Sequence, residues 1–187
     1  EAASNVTGVR PAFLLAVLKQ ESSWGKDVGQ CYLVDPNTGA GKGKNTGNIY
    51  SRTMKPSRDV APFLLIVKEL GRDPYNTLVS CPHEDYGYGG AMGSAQFIPS
   101  TWMSYKDRLT TLLGHTPDPW DLTDAFTASA LKLANGGATS HTYDAEWKAA
   151  MVYYAGSRWS NSAYSFYGDS VMDIAAVIQE EITAMGG

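Results

Sequence analysis

Glu21 stands where a carboxylate is awkward. In VRPAFLLAVLKQESSWG, Leu14, Val17 and Leu18 recur at the i, i+3 and i+4 spacing of a helix, and the next position on that stripe is Glu21. Ser22, Ser23 and Gly25 follow at once and end the helix there. An acid that continues an apolar face is costly to ionise unless it is paired, neutralised or used. It either snorkels to water, meets an arginine, or serves as a proton donor whose pKa burial has raised. Two further residue types invite chemistry. Cys31 and Cys81 lie in no CxxC and beside no histidine at metal spacing. Both sit in polar, loop-like stretches, which favours a disulfide formed in an oxidising compartment. His83, His115 and His141 are scattered through loop-like segments and form no ligand pattern.

The chain has 187 residues, 43% of them hydrophobic, which is enough for one globular domain with a sizeable core. A formal net charge of -4 gives no basic field for nucleic acid. No apolar run is long enough to span a bilayer. Five Trp and eleven Tyr make aromatics plentiful; many fit a core, and Tyr and Trp also serve as stacking platforms for ligands in an open cleft.

The elements that must position these residues read as helices. After Pro11, which fits a first turn, comes the Glu21 helix, with Asn5 or Thr7 able to cap it. Ser57 opens SRDVAPFLLIVKELG, where Val60, Phe63, Leu64, Val67 and Leu70 share a face that Leu65 and Ile66 widen. Pro99 starts a helix through Leu113, closed by Gly114, and Asp121 or Thr123 caps another running to Asn135. A helix from Asp144 carries Trp147, Ala150, Met151 and Tyr154 on one stripe, and a last one from Asp169 carries Val171, Ile174, Ala175, Ile178 and Ile182. Between Lys26 and Lys55, DPNTGAGKGKNTGN shows no apolar period and reads as a long loop. It lacks the GxxxxGK[ST] spacing of a phosphate loop and, counted from Asp35, the central glycine and final glutamate of an EF-hand. No segment alternates as a strand should, so the fold class is all-α, with two long loops that the cysteines can tie together.

Three separated pieces then fall into a known order. They are Glu21-Ser22 in QESSWG, Gly93-Ser94-Ala95-Gln96 within GGAMGSAQFIPSTW, and Tyr153-Tyr154-Ala155-Gly156 on a later helix. The chain resembles the lytic transglycosylases of bacterial cell-wall metabolism, and the extended glycine-glutamine-proline stretch is most similar to the membrane-bound B-type branch. It departs from the family where the motif asparagine is replaced by Tyr154, and where Ser94 and Ala95 replace a bulkier Leu-Met pair. Because Tyr154 also lies on the stripe with Trp147 and Met151, it is expected in the core, with Tyr153 facing the site.

The resemblance implies one lysozyme-like helical domain over residues 1–187, whose two long loops form part of a glycan cleft. It implies a peptidoglycan lytic transglycosylase that cuts the MurNAc–GlcNAc β-1,4 bond and leaves 1,6-anhydroMurNAc ends, with Glu21 as general acid and then base. Leu18, Trp24 and the loops would keep water from Glu21, so that it stays protonated near neutrality. The substrate-binding candidates are Ser22, Tyr88, Gly93, Gln96, Phe97, Tyr153 and Tyr154, with Tyr86 and Trp102 as further aromatic faces. Plain core packing competes for Phe97 and Trp102. Glycine permits close backbone approach, and Gln96 both donates and accepts, as an acetamido sugar requires. Glycosidases normally use two carboxylates. The second could come from Asp27, Asp35, Glu84 or Asp85, and a muramidase that adds water with the help of Asp35 is the competing enzyme. A non-catalytic cell-wall-binding module is the competing non-enzyme. The expected partner is the peptidoglycan glycan strand, met by a monomer outside the cytoplasm, with no metal or other cofactor and no nucleic acid.

Overall fold

The Glu21 helix, α2 (Pro11–Ser22), follows a short α1 (Ala2–Thr7) that takes in Asn5 and Thr7, the residues expected as caps. Pro11 takes the first turn, but Arg10 occupies the cap position and no side chain caps the helix. Phe13, Leu14, Val17 and Leu18 are all buried, as the stripe requires. This computed structural model describes residues 2–26, 28–83 and 87–186, so Asp27, Glu84, Asp85 and Tyr86 lie outside the described residues.

Two compact units divide the chain, one of residues 1–24 and 126–187, the other of 25–125. In the first, α2 packs on α7 (Ser165–Ala184), and α7 also packs on α6 (Tyr143–Ala155). Val171, Ala175 and Ile178 of α7 are buried, as are Ala149, Ala150 and Met151 of α6. The buried Glu146 receives a two-pronged bond from Arg10, at 2.9 and 2.6 Å. Arg10 also donates to Gln179, which ties the start of α2 to α7.

The second unit holds α3 (Ala61–Glu69) and α4 (Pro99–Leu113). One turn of wider π-helix, Pro56–Val60, replaces the expected Ser57 start of α3, and Gly71 ends the segment in a left-handed conformation. Phe63, Ile66 and Val67 are buried, whereas Leu65 is exposed. The fully buried Asp59 accepts from the Ser100 hydroxyl at 2.7 Å and the Ser100 amide at 3.3 Å, so a distant residue caps α4. Pro99 and Gly114 bound α4 as expected. The fifth helix, α5 (Leu122–Asn135), begins in this unit and continues into the other; Asp121 caps it, accepting from the amides of Thr123 and Asp124.

The stretch 26–55 is not a loop throughout. It contains an antiparallel sheet in the order β1 (Cys31–Asp35), β2 (Ala40–Gly43), β3 (Ile49–Tyr50). Strand β2 reads AGKG, a composition that signals turns, yet a Cβ on Gly41 would stand 2.4 Å from the Thr53 hydroxyl and 2.5 Å from the Tyr32 carbonyl. Its glycine serves close packing inside a sheet. A Cys31–Cys81 disulfide fastens β1, and next to it Cys31 and Val79 exchange both backbone hydrogen bonds, at 3.0 and 2.9 Å. The architecture is nonetheless mostly helical.

Candidate active site

The last turn of α2 is fixed by an unusual closure. Ser23 and Trp24 both have positive φ, 49° and 59°. The Trp24 amide reaches back to the Leu18 carbonyl at 3.2 Å and the Ser23 amide to Lys19 at 2.9 Å, a Schellman-type stop built without glycine. Each such conformation costs a non-glycine residue about 1 kcal/mol or more, and both adjoin the Glu21-Ser22 pair. Trp24 is not the expected cover for the acid. It is 43% exposed, its indole donates to the Leu15 carbonyl, and the Lys19 ammonium lies over its ring. Ser22 is buried, its hydroxyl turned toward the Leu18 carbonyl.

Glu21 is half-buried, at the end of the buried stripe of α2. The Tyr167 hydroxyl donates to Glu21 Oε1. Tyr167 is 3% exposed and lies stacked on Tyr154, ring centres 4.6 Å apart and planes 16° from parallel. Tyr164 and Phe166 meet Tyr154 edge-on. Lys132 of α5 also acts on Glu21 electrostatically. Burial raises the Glu21 pKa above the ordinary carboxylate range, while the Tyr167 hydrogen bond and the Lys132 charge oppose that rise. Burial lowers Lys132 to about 8, with Glu21 pulling the other way. Burial likewise lifts Tyr167 well above its usual value, so at neutral pH it remains a donor.

The two motif tyrosines are placed opposite to the stripe argument. Tyr153 is 7% exposed, its hydroxyl 3.1 Å from the Ser129 hydroxyl, and Tyr154 is the more open of the pair. Trp147, which shares the stripe with Tyr154, donates to Asp169 at 2.8 Å. Tyr167 and Lys132 are absent from the expected site. Lys132 carries a similar signal to Glu21, a charge continuing the stripe of small residues Ala125, Ala128 and Ser129. No local signal marks Tyr167.

In the second unit the GSAQ stretch is a tight turn between paired Met92 and Phe97. Gly93 has φ 59°, and a Cβ there would stand 1.7 Å from the Pro119 carbonyl oxygen. Gln96, also left-handed at φ 50°, donates its side-chain amide to the Gly93 carbonyl at 2.8 Å, which closes the turn. Its amide oxygen remains an acceptor. Phe97 is 2% exposed and packs edge-to-face on Trp102 and Tyr105, so Phe97 and Trp102 are core rings here. Tyr88 is 42% exposed. Asp35 sits in the β1–β2 turn, where it accepts from the Asn37 amide at 2.9 Å and the Thr38 hydroxyl at 2.7 Å. Those bonds hold its pKa below the ordinary range. His115 is paired with the buried Asp124, and His141 with the Gly8 carbonyl. Among the described residues no cluster of His, Cys, Asp or Glu has the arrangement of a metal site, and no helix is long and apolar enough to cross a membrane.

Comparison with known proteins follows the same lines. Residues 1–150 match the model of the family described as the transglycosylase SLT domain. The Escherichia coli lytic transglycosylase Slt35 in complex with calcium is 26% identical, with a TM-score of 0.51, over 72% of this chain and 39% of that one. The same protein in complex with bulgecin A superposes over 96% of this chain and 68% of that one, with a TM-score of 0.64 at 17% identity, a likeness of fold. A 36 kDa muramidase/transglycosylase is 27% identical, with a TM-score of 0.50, over 72% of this chain and 39% of that one. No curated protein matches significantly.

Proposed function

Because the chain belongs to the transglycosylase SLT domain family, we propose that it is a peptidoglycan lytic transglycosylase that cleaves the MurNAc–GlcNAc β-1,4 bond, with Glu21 as its acid and base. The observation that carries this reading is the Glu21 carboxyl at the end of a buried helix stripe, accepting from the buried Tyr167 hydroxyl and with its pKa raised by burial. A carboxylic acid whose pKa is raised holds its proton to higher pH and can donate it to the bridging oxygen as the C1–O bond breaks. The resulting positive charge at C1 is met by the oxygen of the sugar's own N-acetyl group. Glu21, now a carboxylate, takes the proton of the C6 hydroxyl as that oxygen closes on C1. The product is a 1,6-anhydro ring, Glu21 is protonated again and no water is consumed.

We read one working carboxylate in place of two. Asp35 is committed to a hairpin turn whose hydrogen bonds hold its pKa below the ordinary range, which suits a turn residue better than a second acid. We assign sugar contacts to Tyr88 and Gln96 and close backbone approach to Gly93. Tyr154 takes the place of the motif asparagine by backing Tyr167, and Ser22, Phe97 and Tyr153 support these groups from within their own units. The two units together are read as one catalytic domain. We assign the chain to the B-type branch on the resemblance of GGAMGSAQFIPSTW, and the disulfide suits a wall-facing compartment outside the cytoplasm.

The test is digestion of purified peptidoglycan followed by mass analysis. Anhydro ends, lighter than reducing ends by one water, are the expected product, and Glu21→Gln should lower turnover by about 10³-fold without lowering the melting temperature. Reducing ends would turn the reading into a muramidase. Unchanged glycan binding without turnover in either protein would make the chain a wall-binding module.

A further inference from the structure

Residues 36–58 include Lys42, Lys44, Arg52, Lys55 and Arg58 and no acid, although the whole chain has a formal net charge of -4. Arg58 is paired with Asp59 at 2.6 Å. Among the described residues Lys42, Lys44, Arg52 and Lys55 form no ion pair. A local excess of one charge is a field that attracts the opposite one.

The register of the sheet sets two of these lysines on one open face. Directly opposed residues of antiparallel strands project to the same side. Lys42 of the central strand β2 stands between Tyr32 of β1 and Ile49 of β3. The Lys44 amide still bonds the Gln30 carbonyl beside β1, at 2.7 Å, so alternation returns Lys44 to the side of Lys42, about 7 Å further along. The neighbouring row, Leu33, Gly41 and Tyr50, faces the other way, where Leu33 is fully buried and Gly41 closes on Thr53. On the outer side Lys42 and Lys44 are exposed, and so are Val34, which alternates with Leu33, and Ile49, at 66%. Side chains hold the hairpin in shape: Asn45 donates to the Gln30 side chain at 3.1 Å, and the Thr46 hydroxyl accepts from the Asn48 amide at 3.2 Å.

A face that sets cations among aliphatic and aromatic groups fits an extended ligand that alternates carboxylates with small apolar groups. A phosphate polymer would leave Val34 and Ile49 without a use. We propose that the outer face of this sheet binds the short acidic peptide carried by the glycan strand, with Lys42 and Lys44 meeting its carboxylates and Tyr32, Val34 and Ile49 its methyl groups. This inference rests on peptidoglycan being the substrate. Main chain joins the face to the turn assigned to the sugars. Cys31 pairs with Val79, the Ser80 amide donates to the Ala91 carbonyl at 2.8 Å, and the Gly89 amide donates to the Arg52 carbonyl at 3.1 Å. Ala91 and Met92 lead directly into Gly93 and Gln96. Sugar and peptide are thus held by one backbone network within residues 25–125.

The test compares kcat/KM on intact peptidoglycan with that on the same strands after an amidase has removed their peptides. Wild type should prefer the intact polymer about fivefold, the order expected of exposed charge pairs. Joint Lys42→Glu and Lys44→Glu replacement should abolish the preference through KM, and so should about 1 M salt on wild type. Lys68→Glu, at an exposed position of α3 in the same unit, should keep it. No preference in wild type, or one that survives the double charge reversal, would overturn the proposal. Binding is read apart from turnover by titrating ¹⁵N-labelled wild type with the peptides that the amidase releases. The amides of β1 to β3 should shift, those of Lys42 to Lys44 most. Unmoved amides, or shifts with poly(glycerol phosphate) and none with the peptides, would also overturn it. Should Glu21→Gln remain active while the peptide shifts the sheet, the reading of the acid fails and this face stands. Should Glu21→Gln be inactive while the peptide leaves the sheet unmoved, only this face fails.

Discussion

In the unit of residues 1–24 and 126–187, the candidate residues are held by side chains. Tyr167 bonds Glu21, Tyr154 stacks on Tyr167, and Lys132 is anchored on Tyr153. In the unit of residues 25–125 the candidates are held by backbone. Gly93 approaches the Pro119 carbonyl too closely for any Cβ, Gln96 folds back on its own turn, and a disulfide fastens the sheet. The two kinds of construction suit two tasks. Tuning a proton requires charges and dipoles around a carboxyl, and those come from side chains. Presenting amide and carbonyl groups to a bulky ligand requires a fixed main chain with few side chains in the way.

If that contrast is right, substitutions in the 25–125 unit should lower stability while leaving the pH profile alone, and those around Glu21 should do the reverse. The largest stability effect is expected from Cys31→Ser. With 50 residues separating the paired cysteines, losing the cross-link should cost about 4 kcal/mol in the chain-entropy picture, measured as a lower urea midpoint. Gly93→Ala comes next. The added Cβ meets a backbone oxygen at 1.7 Å in a left-handed conformation, so unfolding free energy should drop by about 3 kcal/mol, with residual activity peaking at the wild-type pH.

Tyr167→Phe is the smallest in stability, about 1 kcal/mol, and the most informative in pH. The Tyr167 hydrogen bond lowers the Glu21 pKa, so its loss raises that pKa and moves the alkaline limb of activity upward. The stability sign follows from the same shift. A Glu21 pKa raised by folding contributes stability in full below its unfolded value, about 4.3. That contribution is lost as pH rises through the folded value, and in Tyr167→Phe the loss should come at higher pH. A pH profile unchanged in Tyr167→Phe, or shifted in Gly93→Ala, would break the contrast between the two units.

Much of the helical frame is legible in the chain because its signals are local. Pro99 and Gly114 bound α4, Asp121 caps α5, and the stripe of α2 lies buried with Glu21 at its end. Where glycine has two uses the reading fails. The glycines of β2 look like turn residues, and only the neighbours, Thr53 and Tyr32 at Gly41 and Thr46 and Tyr50 at Gly43, show that they allow strands and side chains to close up. Tyr154 illustrates a second limit. Its stripe with Trp147 and Met151 predicts burial, yet Trp147 reaches outward to Asp169 and Tyr154 stacks on Tyr167, while Tyr153 goes inward to Ser129.

The sequence by itself determined that a carboxylate continues an apolar helix face, that a glycine-rich turn carries Gln96, and that the chain is mostly helical. Each of these is written in periodicity or in local backbone preference. Only the tertiary structure decided which groups set the proton affinity of Glu21. Tyr167 stands 146 residues away and Lys132 more than a hundred. The field at a buried carboxyl depends on distances through space and on the exclusion of water, neither of which is recorded in the order of residues along the chain.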